Sequence, residues 1–278
     1  VMPEIEIPAH SKALVKVMPE LRDHQDESNE ESVQGYLENT INPAKQETWD
    51  FLNKAIPEIK SMFPFGVIHL GCDEMPHKVW EKSPAINEFK KQKGLESTED
   101  VQEWTMKRAA EIVEEAGGRP AAWEVAGRGK NGGIGHDAVL FSWSGKEPGL
   151  KAARDGYEVV MCPAQHVYFD MAHTKGHYEK GLNWAANISM MDALCWDPVP
   201  VNESELEMRI IGIQGELWSE TVMEDKDMEP LLAPRILALS EVAWSVTQRK
   251  RELKEFIGAA EYFGKIFQKF NWNSHELV

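Results

Sequence analysis

This 278-residue chain predicts an α/β fold built on a parallel sheet, and three observations lead there. Short apolar runs of strand character recur six times. Helical patterns lie between or after most of them, the alternation that joins parallel strands through crossover helices. Acids and tryptophans collect where those runs end, as functional residues do at the carboxyl ends of strands in barrels and doubly wound sheets.

The first run covers 1–7 (Val1-Met2-Pro3-Glu4-Ile5-Glu6-Ile7). It reads as a strand already under way at the first residue, so sequence upstream is expected. Residues 25–42 are polar and read as a surface loop. A helical pattern covers 45–62, where Pro57 should kink or split it. The run 66–70 (Gly66-Val67-Ile68-His69-Leu70) has the pattern of a buried strand, with Gly66 and Gly71 at its bounds. Ser97-Thr98-Glu99-Asp100 carries a capping-type signal for a second helix. Val101, Trp104, Ile112, Val113 and Ala116 give that helix an apolar stripe, and Gly117-Gly118 ends it. Further strands are predicted over 120–125, 138–143, 158–161 and 210–217. The stretch 173–187 reads as a polar loop that carries Tyr178 and Trp184, and 230–244 and 252–270 read as closing helices. Six strands fall short of the eight in a closed (β/α)8 barrel. Either two strands lie outside this sequence or the sheet is open.

A hydrophobic fraction of 42% over this length supports one large domain or two small ones. The net charge of -16 and pI near 5.0 argue against nucleic acid and anionic membrane as partners. No apolar stretch is long enough to span a bilayer, and no signal peptide is visible. Three widely spaced cysteines, Cys72, Cys162 and Cys195, indicate neither a disulfide framework nor a zinc ribbon. Cys72 and Cys162 fall at strand ends and read as small buried residues. Ten tryptophans, several at strand ends or in loops, suggest a surface for flat, partly apolar ligands.

Asp73 and Glu74 close the run 66–72. Neighbouring side chains on a strand point to opposite faces, so both acids can share one pocket only if the chain has left the strand, which Gly71 permits. Solvated loop acids are the ordinary reading in an acidic chain. The company they keep argues otherwise. His10 follows the first strand, Trp123 and Glu124 end the third, and Trp143 ends the fourth. Tyr168 and Asp170 follow the fifth, and Trp218 and Glu220 the sixth. Acids and tryptophans on one face describe a sugar site, where rings stack on pyranose C–H surfaces and carboxylates accept hydrogen bonds from hydroxyls.

At these residues the sequence resembles the catalytic barrel of glycoside hydrolase family 20, the β-N-acetylhexosaminidases, and most closely the bacterial chitobiase type. The resemblance rests on Met2-Pro3-Glu4-Ile5-Glu6-Ile7-Pro8-Ala9-His10-Ser11, on His69-Leu70-Gly71-Cys72-Asp73-Glu74 and on Tyr168-Phe169-Asp170. Leu217-Trp218-Ser219-Glu220 and the stretch from Pro234 to Trp244 complete the set, in family order over nearly the whole chain. The family has glycine where Ala9 and Cys72 stand. Its barrel also begins with two β-α units absent here, the first of which supplies an arginine that grips the terminal sugar. The resemblance therefore implies a (β/α)8 TIM-barrel-type fold lacking the first two β-α units, with strands three to eight present. Residues 1–278 would form a single, N-terminally truncated catalytic barrel domain.

By the same resemblance, the substrate is an oligosaccharide or glycoconjugate ending in N-acetyl-D-glucosamine or N-acetylgalactosamine, with chitin oligosaccharides foremost. The implied mechanism is retaining and substrate-assisted. Glu74 would protonate the leaving oxygen, Asp73 would orient the 2-acetamido group, Tyr168 would donate a hydrogen bond to its oxygen, and His10 would belong to a polar relay beside Glu74. Trp123, Trp143 and Trp218 would wall the pocket, Trp184 would stack the next sugar, and Asp170 and Glu220 would accept from ring hydroxyls. Arg235 reads as structural. No cofactor is implied, and export to the periplasm or the extracellular space is. An ionised Asp73 should raise the pKa of Glu74. Two rivals stand beside this reading. His69, Cys72, Asp73, Glu74 and His77 are crowded enough to suggest metal ligands. A sugar-binding module or inactive fragment is the other; an open barrel exposes strand edges that could pair with a second copy as a homodimer.

Overall fold

A computed structural model of the chain describes residues 1–176, 178–245 and 253–276. It divides into two compact units, one of residues 1–141 with 156–158, the other of 142–155 with 159–278.

The first unit is organised on parallel strands. β1 (Val67–His69) pairs with β2 (Arg119–Trp123), and β2 pairs with β3 (Val139–Ser142). These strands are buried almost throughout, which is why they read as continuous apolar runs rather than alternating ones. The expected strand over 1–7 is reduced to one bridging residue, Glu4, opposite His69. Its backbone still runs along β1: His69 N–H donates to Pro3 O, Ile5 N–H to His69 O and Ile7 N–H to Leu70 O, at 2.9, 2.9 and 3.0 Å. Pro3 and Pro8 remove two donors and cut the ladder short.

Four α-helices belong to this unit: α1 (Lys12–Val17), α2 (Gln46–Met62), α3 (Pro84–Lys93) and α4 (Thr98–Glu115). The expected split of α2 at Pro57 does not occur. Thr48, Leu52 and Ile56 hold the buried face, while Pro57 and the Asn53 backbone it deprives of a donor lie on the exposed face, where water can serve. The cap of α4 forms as its sequence signals. Ser97 Oγ accepts from Asp100 N–H at 3.1 Å, and Asp100 Oδ2 accepts from Ser97 N–H at 3.1 Å. The stretch 25–42, expected at the surface, folds back in part: Glu30, Ser32, Asn39, Thr40 and Asn42 are buried.

In the second unit β4 (Glu158–Met161) pairs in parallel with β5 (Ile210–Ile213), with a register irregularity at Val159/Val160. Among the described residues the α-helices are α5 (Lys146–Arg154), α6 (Ala164–Val167), α7 (Met190–Leu194), α8 (Asp225–Leu232), α9 (Arg235–Trp244) and α10 (Leu253–Lys269). The helix expected over 230–244 is broken between α8 and α9, where Pro234 has no N–H to continue it. The helix expected over 252–270 is α10, with Glu252 outside the described residues. The loop 173–187 is irregular, with Tyr178 and Trp184 exposed and His177 outside the described residues.

Arg235 opens α9 fully buried. Its guanidinium donates to the backbone carbonyls of Leu231, Met171, Ile188 and Phe169, at 2.5 to 3.0 Å. Burial pushes its pKa down to about 9, with Asp170 opposing. Carbonyl dipoles replace the lost water, and the planar fork reaches them from one side chain. Arg235 thereby ties the segment 169–171 to α8 and α9. Arg235→Lys should destabilise the fold by about 2–4 kcal/mol, because one ammonium cannot reach all four carbonyls. Denaturant unfolding checks this, with a lowered midpoint and an unchanged slope as the expected result.

Candidate active site

The site begins where β1 stops. After His69 the backbone enters the left-handed region repeatedly, with φ +64° at Gly71, +77° at Cys72 and +42° at Glu74. Such angles are open to glycine and cost other residues about 1–3 kcal/mol each. Gly71 is required for a second reason: a Cβ there would lie 1.9 Å from Glu6 Oε2. The turn brings both acids to the same imidazole. His10 Nε2 lies 3.7 Å from Asp73 Oδ2 and 3.4 Å from Glu74 Oε2, with all three side chains partly exposed.

The electrostatics correct one expectation. His10 is raised to about 10, chiefly by its contacts with Asp73 and then Glu74. Glu74 is lowered, not raised, and its contact with His10 is the largest cause. An imidazolium facing both acids outweighs the repulsion between them. Gln34 adds to this, its Nε2 donating to Glu74 Oε2 at 2.8 Å. Gln34 was not singled out in the sequence because it sits within the polar stretch 25–42. Nothing local marks it; tertiary contacts bring that stretch back beside the β1 turn, the pairing of Glu31 with His77 and the hydrogen bonds of Asn39 and Ile41 to the segment 8–11 among them.

Behind the turn lies a second set of polar groups. Glu4 Oε1 lies 3.0 Å from His69 Nδ1 and accepts from Trp123 Nε1–H at 3.1 Å. Trp123 is buried, edge-on to His69 at 4.8 Å between centroids. Cys72 is buried and its thiol is pushed up, first by burial. The five residues considered as metal ligands do not gather: among the described residues, Asp73 and Glu74 come together with His10, and not with His69, Cys72 or His77.

The second unit holds an aromatic group. The buried Tyr168 ring lies 5.8 Å from Trp184 and 6.5 Å from Trp218, and Trp143 lies 6.0 Å from Trp184. Trp184 and Trp218 are exposed, which leaves ring faces for a ligand. Asp170 is buried in the same segment and raised to about 6, first by burial, with Glu220 pushing the same way and Arg235 opposing. Glu220 is exposed.

A family model described as "Glycosyl hydrolase family 20, catalytic domain" matches residues 1–247. The chain belongs to glycoside hydrolase family 20. A β-hexosaminidase of Vibrio furnissii is 35% identical over 243 residues, covering 86% of this chain and 39% of that protein. An N,N'-diacetylchitobiase of Vibrio harveyi is 25% identical, covering 88% and 37%. Among solved structures, a family 20 exo-β-N-acetylglucosaminidase from Vibrio harveyi in complex with N-acetylglucosamine superposes with a TM-score of 0.94 at 31% identity, over 99% of this chain and 43% of that one. The α/β fold with parallel strands is thus that of the family's TIM-barrel-type structures. The chain spans about two fifths of the length of these relatives.

The His10–Glu74 pair sets a pH window. His10, raised from 6.5 to about 10, contributes stability fully below about pH 6.5, and the contribution is lost as pH rises through about 10. Glu74, lowered from 4.5, contributes above about pH 4.5 and loses its share as pH falls through its folded value. His10→Asn should therefore lower Tm most between about pH 4.5 and 6.5 and least near pH 10, read from thermal melts across that range.

Proposed function

We propose that this chain carries the acid/base centre of an exo-acting β-N-acetylhexosaminidase. The protein would release terminal non-reducing N-acetyl-D-glucosamine or N-acetylgalactosamine with retention of configuration. The observation that carries this reading is the turn after β1, which sets Asp73 and Glu74 against one histidine. Two consecutive acids cannot straddle a sugar ring as the usual pair of carboxylates does, and substrate assistance removes that need.

In the first step the 2-acetamido oxygen attacks the anomeric carbon and the bond to the leaving oxygen breaks. Glu74 hands that oxygen a proton. Because Glu74 is lowered beside His10, the proton it hands over would come from the imidazolium, His10 Nε2 lying 3.4 Å from Glu74 Oε2, so that the step ends with Glu74 ionised and His10 neutral. Asp73 holds the acetamido N–H and offsets the positive charge of the oxazolinium. In the second step water attacks the anomeric carbon, Glu74 takes its proton and the acetamido group reforms. Tyr168 donates to the acetamido oxygen, Trp143 and Trp218 offer ring surface, Trp184 stacks a further sugar, and Asp170 and Glu220 accept from hydroxyls. Trp123 acts from below, through Glu4 and His69. Chitin oligosaccharides fit this chemistry as natural substrate.

We also read residues 1–278 as one catalytic barrel domain carrying strands three to eight of eight. A single family model matching 1–247, and the chain covering 43% of the superposed Vibrio harveyi structure, support this.

The test is nitrophenol release from aryl N-acetyl-β-glucosaminide and its galacto epimer, with Glu74→Gln as control. Turnover that falls about 10²–10⁴-fold in the control supports the reading. Equal turnover in both would end it. For Asp73→Asn, kcat should fall about 10²-fold with KM changed far less, since its contact with the acetamido group strengthens as charge develops. Steady-state kinetics on the same substrates measures the split.

A further inference from the structure

Glu6 has no part in the reaction described above, yet it lies against the centre. It precedes His10 by four residues, on the segment whose backbone bonds to β1. Its carboxyl carbon and both oxygens lie 1.9 to 2.6 Å from where a Gly71 Cβ would sit, so the group rests flat on the turn two residues before Asp73. Glu6 Oε2 and Asp73 Oδ1 are both buried and neither receives an N–H or O–H. The charged and titratable groups facing Glu6 are Glu4 on its own segment, Asp73 and Cys72 in the turn, and His10. Glu4, Glu6 and Asp73 thus form a row of three carboxyl groups, and Glu6 is the middle one.

We propose that Glu6 is a positioning residue of the acid/base centre: a buried, neutral carboxyl group that donates to Glu4 and holds Asp73 turned toward His10. This rests on the functional reading above. The outer acids have their own partners, Glu4 in His69 and Trp123, Asp73 in His10. The one cation facing the middle group, His10, is already turned to Asp73 and Glu74 and only partly offsets the burial of Glu6. Three adjacent carboxylates cannot all ionise, and the proton stays where compensation is weakest. Glu6 is accordingly raised to about 10, first by burial, then by Asp73 and by Glu4. Were Glu6 to ionise, a second anion would compete with Asp73 for His10 and repel Asp73 from the turn.

The test compares Glu6→Gln and Glu6→Leu in the full-length protein. Gln keeps a neutral donor of the same shape; Leu removes the donor. Isotope-edited infrared spectroscopy at neutral pH should show a protonated carboxyl band that Glu6→Gln lacks. The His10 titration followed by NMR should stay in place in Glu6→Gln and move down in Glu6→Leu, as Asp73 turns away. Neither measurement needs turnover, so both decide this proposal even if the hexosaminidase reading fails. In kinetics, Glu6→Gln should hold kcat within about threefold, and Glu6→Leu should lose about tenfold or more with KM within about twofold. A missing infrared difference, an unmoved His10 titration in Glu6→Leu, or a Gln variant as impaired as the Leu variant would overturn it.

Discussion

The charged imidazole of His10, facing two consecutive carboxylates, is the interaction on which the rest of this site depends. Without a cation there, Asp73 and Glu74 would repel each other and one would turn to solvent. With it, the acids can face the same way, provided the backbone leaves β1 through a left-handed turn. That turn needs Gly71, both for its φ and because the Glu6 carboxyl occupies the space a side chain would take. The turn in turn needs firm ends. β1 is held on one side by β2 and on the other by the backbone of 3–7, and Trp123 N–H donates to Gly71 O at 2.9 Å. Strand pairing, turn and charge are therefore one arrangement.

An acidic chain placing Glu4, Glu6, Asp73 and Glu74 in one region faces an obvious difficulty, and the structure answers it group by group. Glu4 is lowered despite burial, through His69 and the Trp123 indole. Glu74 is lowered by His10 and Gln34. Glu6 keeps its proton. The second unit repeats the logic at smaller scale. Asp170 is raised by burial and by Glu220, while Arg235, the cation nearest in kind, is taken up by backbone carbonyls. A buried carboxyl raised to about 6 and an exposed Glu220 beside exposed tryptophans give that segment hydrogen-bonding capacity without a fixed ion pair.

Five of the strand positions were legible because buried parallel strands announce themselves as apolar runs, and α4 because its capping residues sit at their proper spacing. Asp73, Glu74 and His10 were legible as a motif, but their electrostatics were not. Adjacency in sequence suggested that Asp73 would raise Glu74; the outcome depends instead on where His10 points, which is a tertiary fact. Gln34 and Glu6 were illegible for a related reason. A glutamine in a polar stretch and a glutamate two residues after another carry no local signal, and their meaning comes from chain segments that meet only on folding. The unbroken α2 shows the converse: Pro57 is a strong local signal that an exposed face can absorb.

The two positions where the family has glycine are not equivalent here. Ala9 is fully buried without a positive φ, so the added methyl needs space but no unusual backbone. Cys72 sits at φ +77° and carries a real conformational cost. What offsets it is packing: Cys72 is fully buried, and its Sγ lies 3.4 Å from Leu70 O, close enough for a weak thiol hydrogen bond. The strain stays in the turn because the residues on either side leave it no outlet. Gly71 is pinned by Glu6 and Trp123, and Asp73 by His10. A strained residue between two fixed ones transmits its geometry to both, so the side chain at position 72 bears on where the Asp73 carboxylate points even though the thiol itself takes no part in the chemistry.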